Sequence, residues 1–184
     1  RDDLMEYTLE GDPVDQQGRP MYTERPIHGG IYQARDDVMT IVHNHSPTVI
    51  PFSVTTTPLR PMFHLAAIIG PELPVWDISD KFQDTNMLVT NMDQGRDLAA
   101  CLGDRRVSLM RGHGCVIAGK TIREVIMASI YLQVNAGLLM ESMRLGDVKY
   151  LSPGEIKAMT DSQMSLTGQQ RAWEYWANRA GRGR

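Results

Sequence analysis

Five histidines occur in this chain, and three of them, His43, His45 and His113, stand in settings suited to holding a metal ion. His43 and His45 flank Asn44 at the end of Val38 to His45, a β-branched and apolar run that reads as a buried strand. Side chains alternate across a strand, so both imidazoles are expected on one face and Asn44 on the other. Two imidazoles at that spacing can grip one first-row divalent ion. Alone, the pair reads equally well as one satisfied core histidine and one exposed one. His113 adds a third nitrogen donor. It lies in Arg111-Gly112-His113-Gly114, a tight turn between expected strands Val107–Met110 and Cys115–Ala118, and its flanking glycines clear space around the ring. Glu24 stands at the entrance of a helix expected from Pro26 to about Arg35, where a carboxylate is electrostatically favoured. By itself it reads as a helix-start acid. Three neutral imidazoles, one carboxylate and a divalent ion would carry a net charge of about +1, which suits an anionic substrate. Cys115 follows the turn directly and is either a further ligand or, as its small size favours, a buried core thiol.

The elements that must position these groups follow from capping and turn signals. The first twenty residues, with Gly11, Asp12, Pro13, Gly18 and Pro20, read as extended chain with turns. Ser46-Pro47 predicts a helix starting directly after the histidines. Pro74 to Ile78 reads as a short strand, and Asp93 to Gly103 as a helix closed by its glycine. Thr121 to Glu124 is a capping box opening a long helix to about Leu145. Ser152 to Glu155 is a second, opening a final helix that carries Trp173, Tyr175 and Trp176. Helices that alternate with strands, one strand pair being a hairpin, favour an α/β domain with an at least partly antiparallel sheet.

Composition narrows the function. The chain has 184 residues, a net charge of −3 and a pI near 5.9, so no basic surface points to nucleic acid. The short basic end, Arg179 to Arg184, reads as a solvated tail. No apolar run is expected to cross a bilayer, and no signal peptide is visible. Two cysteines, Cys101 and Cys115, make no disulfide framework, and reduced thiols beside twelve methionines fit a cytoplasmic protein. Residues 1–184 are expected to form one domain that opens in mid-pattern at Arg1 and lacks an upstream segment.

Three segments together resemble the class II aldolase and adducin family: Thr23-Glu24-Arg25-Pro26-Ile27-His28, Val42-His43-Asn44-His45-Ser46, and Arg111-Gly112-His113-Gly114. The likeness runs from about Leu4 to about Leu151, and the Glu24 to His43 spacing is the one that family uses between its acidic ligand and its His-X-His pair. It implies a three-layer α/β/α sandwich with a central, mostly antiparallel sheet. It also implies a homotetramer with sites near subunit interfaces. His43, His45, His113 and Glu24 would be the metal ligands, with Glu24 also moving a proton. His28 matches a histidine common in the family and either acts directly or packs under the site. Tyr175 and Trp176 either reach a neighbour's site or pack the terminal helix. Sugar-phosphate members carry a serine pair before the acidic residue, where this chain has Tyr22-Thr23. Their glycine-rich phosphate loop lies upstream of this chain.

Four further segments are similar to members that decarboxylate hydroxylated aromatic acids: Asp3 to Val14, Pro51 to Val54, Asp84 to Val89, and Tyr150 to Ile156. The expected function is therefore a divalent-metal-dependent decarboxylase of a hydroxylated benzene or pyridine carboxylic acid. The alternatives are an aldolase or epimerase on an unphosphorylated hydroxy-acid or sugar, and an Fe(II) oxygenase. An adducin-like interaction module would have lost the ligands. Mn²⁺ or Zn²⁺ is expected, with Fe²⁺ and Co²⁺ also compatible. A second substrate carboxylate would need a cation, for which Arg60 and Arg111 are candidates. His64 either donates to substrate or is a satisfied core histidine. Asp77 and Asp84 lie in loops that either close on the site or serve turn chemistry.

Overall fold

The computed structural model describes residues 4–163 and 165–181. Residues 182–184, the end of the basic tail, lie outside the described residues.

Four strands form one sheet, β1 (Thr40–Asn44), β2 (Val75–Trp76), β3 (Val107–Met110) and β4 (Gly114–Gly119), in the order β1-β4-β3-β2. β1 pairs antiparallel with β4, β4 antiparallel with β3, and only β3 with β2 is parallel. The mostly antiparallel sheet that the family resemblance implies is the one observed. Both of its faces are covered, which is why β3 and β4 are buried along their whole length.

The alternation of side chains sorts the core into two halves. Ile41, Met110, Val116 and Ala118 turn towards α1 (Arg25–Ala34) and α4 (Met92–Leu102), where Ile27, Ile31, Leu98 and Leu102 meet them. Val107, Leu109, Cys115 and Ile117 turn to the opposite face, under α5 (Ile122–Leu145) and a 3-10 helix at His64–Ile69. His43 follows Ile41 by two residues and shares its face, so the histidines open at the rim of the first half. α1 and α4 cross at close range. A Cβ on Gly95 would lie 2.1 Å from the Pro26 carbonyl oxygen, so only glycine lets α4 fix the start of α1, where Glu24 stands.

The long helix needs its packing to be read. By length and composition α5 can span a bilayer, with a mean hydropathy of 1.2. It is instead a core helix: Val125, Ala128, Leu132, Ala136 and Leu139 recur at helical spacing and are buried against the sheet side of the second core. Its buried Asn135 accepts from the Met62 N–H at 3.0 Å and donates to the Arg60 carbonyl at 2.9 Å, which ties the 60–62 loop to the helix.

Most boundaries follow their signals. Asn91 and Thr121 cap α4 and α5 by accepting from Gln94 N and Glu124 N. Ser152 and Glu155 form a reciprocal box at the start of α6 (Pro153–Gln163). Three differ. β1 starts at Thr40, because the Val38 N–H turns back to the Arg35 carbonyl at 3.1 Å. The helix expected at Pro47 is the four-residue α2 (Ile50–Ser53), since the Ser46 carbonyl first closes a turn on Val49 and Ile50. The final helix is two: Ser165 caps Gly168 and opens α7 (Leu166–Arg179), which carries Trp173, Tyr175 and Trp176 and packs on α5. The 3-10 helix and the short α3 (Ser79–Phe82) are additional to the expected elements.

Candidate metal centre

Glu24 occupies the N-cap position of α1, yet its side chain makes no cap bond. The carboxylate turns inward and is buried, 5% exposed. Its Oε1 accepts the Val89 N–H at 3.1 Å. Its Oε2 stands 3.3 Å from Nε2 of His43 and 3.5 Å from Nε2 of His113. His45 lies just past β1, and its Nε2 is 3.0 Å from Nε2 of both His43 and His113. The four groups offer ligand atoms that all lie within 4.8 Å of one another.

The donor chemistry fits a divalent ion. The His43 Nδ1 faces the Cys115 carbonyl at 3.1 Å, so Nδ1 carries the proton and the Nε2 lone pair faces the cluster. Three imidazole nitrogens converging at this range repel unless a proton or a cation stands between them. For ligand distances of about 2.0–2.1 Å, neighbouring donors in a tetrahedral or octahedral set stand about 2.9–3.4 Å apart. The 3.0 and 3.3 Å spacings fall in that range, and the 3.5 Å between Glu24 and His113 lies just above it. Burial pulls the His43 imidazole down to about 4, against the Glu24 charge and the Cys115 carbonyl, which pull it up. Burial also lowers His113, again opposed by Glu24. Both rings are therefore neutral near pH 7, the form that ligates metal. Nδ1 of His113 is buried without a partner in hydrogen-bond geometry, and the Met87 backbone beside the ring favours its protonated form.

The hairpin geometry brings His113 to β1. A Cβ on Gly114 would lie 2.2 Å from the Asn44 carbonyl oxygen, so glycine there allows β4 to close on β1 beside both ligands. Asn44 points to the other face as expected, where its Oδ1 accepts from Ser46 N and from the Cys115 thiol. Cys115 is fully buried, and burial pushes its thiol up to about 12. It is the core thiol, and its carbonyl orients His43.

The remaining candidates fall elsewhere. His28 is half-buried, with burial lowering its pKa. It lines an apolar cavity of about 320 Å³ with Tyr7, Tyr22, Arg25 and Tyr32, and meets the Tyr22 ring edge-on at 6.2 Å. The Tyr22 phenol is raised by burial and by the charge of Glu24, which links this cavity to the carboxylate. Arg111 pairs with Asp77 and lines a cavity of about 120 Å³ with Asp84, Thr85 and Met87. Asp77 also accepts from Ser79 N and Oγ, as turn chemistry predicts. Arg60 is exposed and stacks over Tyr150 at 4.7 Å, and His64 is exposed at the start of the 3-10 helix against Phe63. Among the described residues, neither touches the four ligands. Tyr175 and Trp176 pack on each other and on Arg179. Sequence reading missed Val89. A backbone donor leaves no side-chain signature, and only the likeness of Asp84 to Val89 to other chains marked that loop.

Residues 1–140 match the model of the class II aldolase and adducin N-terminal domain. The chain belongs to the class II aldolase and adducin family. Within that family it is 32% identical to the decarboxylase tropJ of Talaromyces stipitatus, over 95% of this chain and 73% of that one. It is 26% identical to the 3,4-dihydroxyphthalate decarboxylase of Arthrobacter keyseri, over 89% of this chain but only 64% of that one. An aldolase II superfamily structure from Pseudomonas syringae shares the fold, with a TM-score of 0.74 and 19% identity over 97% of this chain and 71% of that one.

Proposed function

We propose that this chain is the metal-binding unit of a divalent-metal-dependent decarboxylase acting on a hydroxylated benzene or pyridine carboxylic acid. The Nε2 atoms of His43 and His113, each 3.0 Å from that of His45, with Glu24 at 3.3 and 3.5 Å, carry the metal half of this reading. The names of the two relatives, both decarboxylases and one of a dihydroxyphthalate, support the chemical half. His43, His45, His113 and Glu24 would hold Mn²⁺ or Zn²⁺, with Fe²⁺ or Co²⁺ as further fits. When bound, the ion supplies Lewis acidity that favours negative charge on the substrate carboxylate and its phenolic neighbour as CO₂ leaves.

The remaining work falls to side chains. The bond between ring and carboxyl carbon breaks, and its electron pair passes into the ring. The ring carbon then takes a proton from Glu24, which Oε2 would carry while not ligating, since Oε1 is engaged by Val89. Solvent returns that proton. Arg111, in the hairpin bend, is the candidate cation for a second carboxylate, which would have to displace Asp77, and His28 and Tyr22 are candidates to flank the ring from the cavity they share. The replacement of a serine pair by Tyr22-Thr23 supports an aromatic acid over a sugar phosphate. Exposed Val134, Leu138 and Leu145 along α5 support self-association, for which the family resemblance implies a homotetramer, and the unpaired Cys101 and Cys115 support a cytoplasmic setting.

Incubation of the Mn²⁺- or Zn²⁺-loaded protein with ortho-hydroxylated aromatic acids tests the reading. CO₂ release is expected. Release of pyruvate or an aldehyde from hydroxy-acids would assign aldol cleavage instead, and oxygen consumption an oxygenase. Glu24→Gln should keep much of the metal and lose turnover by about 10²–10⁴-fold. Near-normal turnover in that variant removes Glu24 from the chemistry.

A further inference from the structure

We infer that Ser53 is a positioning residue for His113, acting through the backbone N–H of Gly112; this rests on the reading of His113 as a metal ligand. Met110 pairs with Gly114 across the hairpin, so residues 111–113 form its bend. Three backbone N–H groups in the bend need acceptors. Arg111 N finds the Trp76 carbonyl at 2.9 Å, and His113 N the Met110 carbonyl at 3.0 Å. Gly112 N donates to Oγ of Ser53 at 2.9 Å. Of the three ties, this one alone is made by a side chain.

The direction of the bond is fixed by its surroundings. Ser53 is the last residue of α2, 5% exposed, and its hydroxyl donates to the Ile50 carbonyl at 2.7 Å. With its one proton committed there, Oγ has only lone pairs left for Gly112. Gly112 holds φ at +62°, a conformation in which glycine meets no steric penalty and therefore no steric restoring force. Around the place where its Cβ would be, the Met87 methyl stands at 3.1 Å and a Val54 methyl at 3.7 Å. The bend is thus held between α2 and the 84–89 loop. Without the Ser53 acceptor, the peptide linking Arg111 to Gly112 is free to rotate and the next residue is the ligand. Metal donors need placement within about 0.2 Å, so a small shift of the bend is felt at Nε2 of His113.

The test is the affinity of the folded protein for Zn²⁺ and Co²⁺, by chelator competition and by the Co²⁺ absorption spectrum. Four proteins are compared: wild type, Ser53→Ala, His113→Ala and the double variant. Ser53→Ala should weaken both ions by about 10–100-fold, the usual effect of losing a group that orients a ligand. In the His113→Ala background the same change should alter affinity by less than about 2-fold, because the ligand it positions is gone. A purely structural role would lower the melting temperature and leave affinity unchanged, or weaken it equally in both backgrounds, and either result overturns the assignment. Should Ser53→Ala fail to fold, Ser53→Cys, whose sulfur accepts weakly, carries the same comparison with a smaller expected loss. A wild type that binds neither ion overturns the metal reading itself.

Discussion

The backbone N–H of Val89 holds Oε1 of Glu24 at 3.1 Å, and so divides the carboxylate into one anchored oxygen and one facing the histidines. That division sets the reach of the side chain. Glu24→Asp withdraws the carboxylate by about 1.5 Å, one carbon–carbon bond. It can then keep Val89 or the histidines, but not both. Metal affinity should fall at least about 10-fold with the melting temperature little changed. Equal affinity in the two proteins, measured by chelator competition, would show that Glu24 is no ligand.

Gly114 brings the hairpin directly against the backbone of β1. Gly114→Ala puts a Cβ against the Asn44 carbonyl and 3.1 Å from the His45 Cα. The strands must part beside two ligands, at a cost of about 1–3 kcal/mol. Thermal unfolding should report the lost stability, and metal content should fall with it. A variant with full metal and an unchanged melting temperature would contradict this packing.

Metal-free protein should lose stability in acid through His43. Unfolded, the imidazole titrates near 6.5; folded, burial holds it at about 4. Between those values the unfolded chain binds a proton that the folded chain refuses, so stability falls as pH drops through this window. Below it, this group costs nothing further. Chelated protein should therefore melt at progressively lower temperature from pH 6.5 towards pH 4. His43→Gln should flatten that slope, and an equally steep slope in the variant would assign the effect to other groups.

The Cys115 thiol, pushed up to about 12 by burial, should resist alkylation at pH 8 in the folded protein. Any modification found by mass spectrometry should fall on Cys101, which is half-buried. Cys115→Ala should keep its metal. Loss of metal in that variant would return the thiol to the ligand set.

Asn135 stabilises the fold away from the site. Asn135→Ala removes both partners of the 60–62 loop at a buried position and should cost about 2 kcal/mol, or about 4–8 °C in melting temperature. An unchanged melting temperature would show that water replaces the amide.

How much of this was legible in the sequence depended on the range of the interaction. Strand alternation placed His43 and His45 together, because period 2 is a local property. The bend at Gly112 and Gly114 announced a hairpin histidine for the same reason. The distance from Glu24 to the rings was not local. It depends on the α1–α4 crossing at Gly95 and on a donor 65 residues away in the chain. The break before α7 had a signal, Ser165 three residues before Gly168, that passed for helix interior. The 3-10 helix at His64–Ile69 had none, since Leu65-Ala-Ala-Ile-Ile69 is apolar at every position and shows no period.

Every role assigned to the four ligands depends on a bound divalent ion. Metal content per chain, measured on purified wild type and on His45→Ala reloaded under the same conditions, tests it most directly. One divalent ion per wild-type chain is predicted, with the variant retaining at most about a tenth at equal free metal. A folded wild type that takes up no divalent ion, or a His45→Ala variant that holds as much as wild type, would contradict it.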